Sequence, residues 1–99
     1  MSVSDADIAF ARDLFADLGG ITTRKMFGGL GLYRNGAIFA LVSGEGRIYL
    51  KARGGMADEL ANDGCEQFHT MPYWSLPDDA LEDPQAACAL ARRAAVTSG

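Results

Sequence analysis

Asn35-Gly36 lies between two apolar-rich runs, GLGLYR and AIFALVS, and constrains the fold of this chain more than any other feature. The tightest turn between twisted antiparallel strands needs positive φ at both central residues, which Asn-Gly adopts at little cost. A β-hairpin is therefore predicted around residues 35 and 36. GEG at residues 44–46 marks a second tight turn. RIYLKAR resumes strand-like alternation after it, and TTRKMF precedes the glycines 28, 29 and 31. The four runs predict an antiparallel meander over residues 23–53.

Helical patterns flank this meander. Ser4 is placed to cap a first helix, with Asp7 three residues on adding negative charge at its N-terminus. Ile8, Ala11, Leu14, Phe15 and Leu18 recur at helical spacing until Gly19-Gly20 stops the run. MADELANDG reads as a second helix closed by Gly64. CEQFHTMPYWSLP reads as a strand that Pro72 confines to an edge or bulge, with His69 inside it. Asp83 caps and Pro84 starts a last helix, whose Ala87, Leu90, Ala91 and Ala94 share one side. The order α-β-β-β-β-α-β-α predicts a two-layer α+β fold, an antiparallel sheet with helices on one face.

Ninety-nine residues make one domain, 1–99, long enough to bury a core without metals or disulfides. The longest apolar run, residues 37–42, is too short to cross a bilayer, and Met1 is followed by polar, acidic residues instead of a secretory leader. A cytoplasmic protein without membrane attachment is expected. Cys65 and Cys88 fit free thiols better than a disulfide framework or metal knuckle. Charge is uneven. Residues 24–53 hold six cations and one anion, a net of +5, and the rest hold three cations and twelve anions, a net of −9; the total is −4. Bulk charge does not mark a strong nucleic-acid binder, but the basic middle can present a local face.

That face is the candidate site. Arg47, Tyr49, Lys51 and Arg53 alternate with Ile48, Leu50 and Ala52, so one side of the strand is cationic and aromatic. Arg24 or Lys25 joins it across the sheet. Basic residues with an aromatic between them suit an acidic protein partner or a nucleic-acid backbone. A solvated sheet face is the bland alternative, and for Tyr73-Trp74 a place in the core is expected over an interface anchor. The glycines at 28, 29 and 31 fit a bend where strands approach closely, because strand-like sequence follows them where a phosphate loop needs a helix. His69 and Cys65 fall too far apart on a strand to act as a nucleophile pair. Asp78, Asp79, Glu82 and Asp83 suit a helix entrance better than a cation site. No catalytic residue, metal site or cofactor is expected.

Met26-Phe27-Gly28-Gly29, Gly31-Leu32-Tyr33, Asn35-Gly36, Phe39-Ala40-Leu41 and Tyr49-Leu50-Lys51 occur in that order, followed by Tyr73-Trp74-x-x-Pro77 and Asp83-Pro84. This series resembles the TfoX/Sxy N-terminal domain family over nearly the whole chain. The resemblance implies a fold like that of type III secretion chaperones and a non-enzymatic regulatory or protein-interaction role. Two-domain members look like competence regulators acting with the cyclic-AMP receptor protein at promoters. Their second, helical domain is not expected within these 99 residues. Between Gly64 and Met71 the chain runs six residues where family members usually carry a further hairpin, so a missing strand or an exposed edge is expected. A protein partner, a homodimer through the sheet or its edge, or both, are the expected associations. Nucleic acid bound by the sheet face is the alternative, since no recognition helix carries these cations. A ligand-binding protein or enzyme using the glycine turn is the third reading.

Overall fold

Ser4 caps the first helix as its position requires: its Oγ accepts a hydrogen bond from the Asp7 amide at 3.1 Å. The computed structural model describes residues 2–26 and 28–98; Phe27, part of the glycine-corner motif, lies outside the described residues. Helix α1 spans Asp5–Leu14 and tightens into a 3₁₀ turn, Ala16–Leu18, before Gly19 leaves it at φ 75°. Ala11, Leu14, Phe15 and Leu18 are buried along one side.

The meander follows as β1 (Ile21–Met26), β2 (Gly29–Arg34), β3 (Ala37–Val42) and β4 (Ile48–Lys51). Asn35 and Gly36 both take positive φ, 54° and 82°, as a hairpin turn of this hand demands. Helix α2 (Gly54–Asn62) comes next, then β5 (Tyr73–Ser75), the short α3 (Asp78–Leu81) and α4 (Pro84–Ser98). The five strands pair antiparallel in chain order. Asp83 caps α4 through Oδ1, which accepts from the Gln85 amide at 3.0 Å. The α+β expectation stands: the described residues form one antiparallel sheet and four α-helices.

Leu30, Leu32, Ala40, Val42, Ile48 and Leu50 face the helical layer and form the main core with Phe15, Met56, Leu60, Ala87 and Ala91. Full burial of each large apolar side chain there contributes roughly 1.5–3 kcal/mol. Cys88 lies in this core, its thiol donating to the Leu14 carbonyl at 3.6 Å. Register shifts between Leu32 and Tyr33, leaving Phe39 as an extra residue on β3. Phe39 meets Phe15 edge-on, ring centroids 5.2 Å apart.

Residues 65–72 depart from the expected strand. His69 takes φ 54° in a turn, so the strand assignment of His69 is corrected. The segment folds back along the outer edge of β5: the Phe68 amide donates to the Tyr73 carbonyl and the Ser75 amide to the Glu66 carbonyl, both at 2.8 Å. The shortened connection therefore covers that edge, and β1 is the edge strand at the other side of the sheet, with no strand paired to its outer side among the described residues. Pro72 sits one residue before β5, where its carbonyl accepts from the Ala52 amide at 3.0 Å.

Candidate functional site

Strand register sorts the candidate residues. Arg24, Gly31, Leu41, Tyr49 and Ser75 form one transverse row, on the face away from the main core. Lys25 belongs to the row of Leu30, Val42 and Ile48 and projects at the sheet edge on the helical side. Of the two cations expected to join across the sheet, Arg24 does so. Lys51 pairs with Tyr73 at the end of β4, and Arg53 lies beyond the strand as the N-cap residue of α2.

Tyr49 does not stand in solvent between cations, as its alternation suggested. It is 9% exposed, in a second apolar cluster with Leu41 and Tyr73, flanked by Ile38 and Phe68. The Phe68 ring lies on Tyr49 with centroids 4.8 Å apart. Burial follows from the 65–72 segment, which returns over this face and carries Phe68 with it. Arg47 stays exposed but is engaged: it pairs with Glu66 at 3.1 Å and stacks 5.7 Å from the Tyr49 ring centroid. Burial raises the Tyr73 phenol, with the Tyr33 hydroxyl adding to the shift. Tyr73 and Trp74 point to opposite faces, Tyr73 into the second cluster and half-buried Trp74 against the main core. The face thus has an apolar centre, with Arg24 three strands from Tyr49, Arg47 paired to Glu66 and Lys51 opposite Tyr73.

Beside this centre runs a groove of about 200 Å³, bordered by Met26, Ile38, Leu41, Phe68, Met71 and Tyr73. Met71 is among the most exposed large apolar side chains, at 44%. Sequence reasoning missed Met71, Ile38, Leu41 and Phe68 as parts of this face. A signal existed: AIFALV is apolar at every position, the pattern of a strand covered on both faces.

The glycine corner floors one end of the groove. A Cβ on Gly29 would stand inside 3.0 Å of the Val42 carbonyl oxygen, and one on Gly31 would meet Met26 Cε at 2.7 Å. Gly28, at φ 79°, directs its carbonyl to the Val3 amide at 2.8 Å. A shallow hollow with Lys25 at its rim borders Gly28, and β2, not a helix, leaves the corner. Half-buried Tyr33 continues along β2, and Pro77 precedes α3 as its N-cap residue.

Cys65 and His69 do not form a reactive pair in this arrangement. Cys65 packs against the main core, whereas exposed His69 sits on the turn with its ring against Phe68. Burial raises the Cys65 thiol, and the nearby Asp63 charge raises it further. A raised thiol pKa means less thiolate at neutral pH. Disulfide-exchange reagent at pH 7.5 is expected to modify Cys65 several-fold more slowly than free cysteine, and Asp63→Asn to speed it. Cys88, 1% exposed, should react only on unfolding. Among the described residues no group of three His, Cys, Asp or Glu side chains gathers to hold a metal, and no helix is long and apolar enough to cross a membrane.

Comparison with known proteins agrees with the motif series. The DNA transformation protein TfoX1 of Aliivibrio fischeri is 41% identical over 51 residues, a match covering 52% of this chain and 24% of that protein. The aligned part is thus a minor portion of that relative. A family model described as TfoX N-terminal domain matches residues 13–97, a stretch holding the whole sheet, the glycine corner and all of α4 but its last residue. The chain belongs to the TfoX N-terminal domain family.

Proposed function

We propose that this chain is a non-enzymatic, cytoplasmic regulatory module of competence that docks a protein segment on the open face of its sheet. The observation carrying this reading is the apolar groove on a sheet face that also carries Arg24 and Lys51. Met26, Leu41, Phe68 and Met71 offer apolar contact, Arg24 shares the transverse row of Leu41, and Lys51 stands opposite Tyr73 at the end of β4. An extended or helical segment bearing apolar anchors and acidic flanks complements both features. The relative named as a DNA transformation protein supports the competence setting, in which the module would influence transcription through its partner. A second copy is the other protein occupant compatible with this face. Pairing two copies through β1 is disfavoured, because it gathers Arg24 and Lys25 of both at one seam.

Direct nucleic-acid binding is the second reading, favoured by the same cations. It is weakened by buried Tyr49, which offers no stacking platform, and by Arg47, already paired with Glu66. Met71→Asp and Arg24→Glu alter exposed side chains and should leave the circular dichroism spectrum unchanged. In cells of the source organism each is expected to lower transformation frequency about tenfold or more, as loss of an interface hot spot does. Full activity in both variants refutes docking at this face. Tight, salt-steep binding to duplex DNA in gel-shift titration, abolished by Lys51→Glu, establishes the nucleic-acid reading instead.

A further inference from the structure

A second cavity, which has Ile38 in common with the open-face groove, lies where the C-terminal half of α4 passes the β2–β3 hairpin. It holds about 250 Å³, and its walls are mostly apolar: Leu18, Phe39, Ala91 and Ala94. Arg34 and Lys51 border it. Both are half-buried, and neither forms an ion pair with any of the described residues. The bulge at Phe39 shapes this end of the sheet, turning an extra aromatic ring toward Phe15 and the cavity wall.

We propose that this cavity binds a small amphipathic carboxylate, its apolar tail among Leu18, Phe39, Ala91 and Ala94 and its headgroup at Arg34 and Lys51. Each part of the ligand follows from one feature of the cavity. Alanines on α4 leave room that larger side chains would fill, and the lining favours hydrocarbon over water. A guanidinium presents a planar fork that matches a carboxylate, and an ammonium adds a second positive charge. The volume is just below the roughly 300–1,000 Å³ of drug-sized ligand sites, which limits the tail to medium length. Occupancy would fix α4 against the β2–β3 hairpin and so offers a metabolite-sensing input, with Lys51 and Ile38 standing between this cavity and the open face.

Titration of the ¹⁵N-labelled 99-residue chain with octanoate, 1-octanol and acetate tests this. Octanoate is expected to bind saturably with a Kd of about 1 mM or tighter, moving the amide signals of Leu18, Phe39, Ala91 and Ala94. 1-Octanol lacks the charge and acetate lacks the tail, and each should bind about tenfold more weakly or worse. Arg34→Gln and Lys51→Gln should weaken octanoate about tenfold without affecting 1-octanol. Ala95→Phe, at an exposed position on the cavity border, should obstruct binding while preserving the fold. Equal affinity for octanoate and 1-octanol, shifts confined to the open face, or undiminished binding by Ala95→Phe each overturn the proposal. So does a Lys51→Gln variant that loses thermal stability but keeps octanoate affinity, since that assigns the cation to the negative end of α4.

Discussion

Gly29→Ala is expected to lower the melting temperature by about 12–24 °C. The added methyl group would lie inside 3.0 Å of the Val42 carbonyl oxygen, with the Val42 and Ser43 carbonyl carbons behind it at 3.4 and 3.5 Å. These are backbone atoms at the end of β3 and of the residue after it, so no side chain can swing aside. Relief requires β2 and β3 to separate near the pairing of Leu30 with Val42, within the main core. Overpacking typically costs about 1–3 kcal/mol, and a rigid backbone obstacle places this substitution near 3 kcal/mol. Each kcal/mol shifts the melting temperature of a domain this size by about 4–8 °C. Gly36→Ala separates this effect from backbone conformation alone. Gly36 has φ 82° and open space around its Cβ position, so its loss is limited to about 1–2 kcal/mol. Thermal melts followed by circular dichroism decide the matter: equal losses in the two variants would mean that close strand approach is not what Gly29 serves. An anion cradle at this corner makes a different prediction, stabilisation of the wild type by added phosphate.

The features legible in the sequence are local ones. Ser4 and Asp83 are capping residues because a short oxygen-bearing side chain before a helix satisfies an amide two or three residues on, a relation contained within four residues of chain. Asn35-Gly36 likewise announces its turn through two backbone angles. Tyr49 shows where such reading ends. Its alternation with Ile48 and Leu50 correctly separates the two faces, yet alternation is silent on whether another segment covers the second face. Phe68 does, from nineteen positions downstream, and the 65–72 segment that brings it there has no helical or strand periodicity to reveal its path. His69 departs from the strand pattern for the same reason: its β-forming neighbours suggest a strand, while pairing of residues 66 and 68 with β5 forces a turn between them and Tyr73. The cavity beside α4 was equally hidden. Its cation Arg34 and its aromatic Phe39 are adjacent only through a strand pairing whose register slips at Tyr33.

Phe15→Ala carries the other large effect, an expected loss of about 3–5 kcal/mol. Phe15 is fully buried and among the largest such side chains in the molecule. It joins the end of α1 to the 3₁₀ turn, so its neighbours cannot collapse inward without moving the Leu18 end of that turn. Removal also deprives Phe39 of its edge-on partner, an interaction worth about 0.5–1.5 kcal/mol beyond area burial. Urea denaturation is expected to show a lower midpoint with an unchanged slope, the sign of a destabilised but still cooperative fold. Phe15→Leu retains much of the volume and should recover more than half of the loss. Because Phe39 and Leu18 also wall the cavity beside α4, Phe15→Leu should weaken octanoate binding there more than it disturbs Met71 and its neighbours on the opposite face of the sheet. Uniform spectral change across both faces would contradict that separation, and would mean that the two surfaces respond as one cooperative unit.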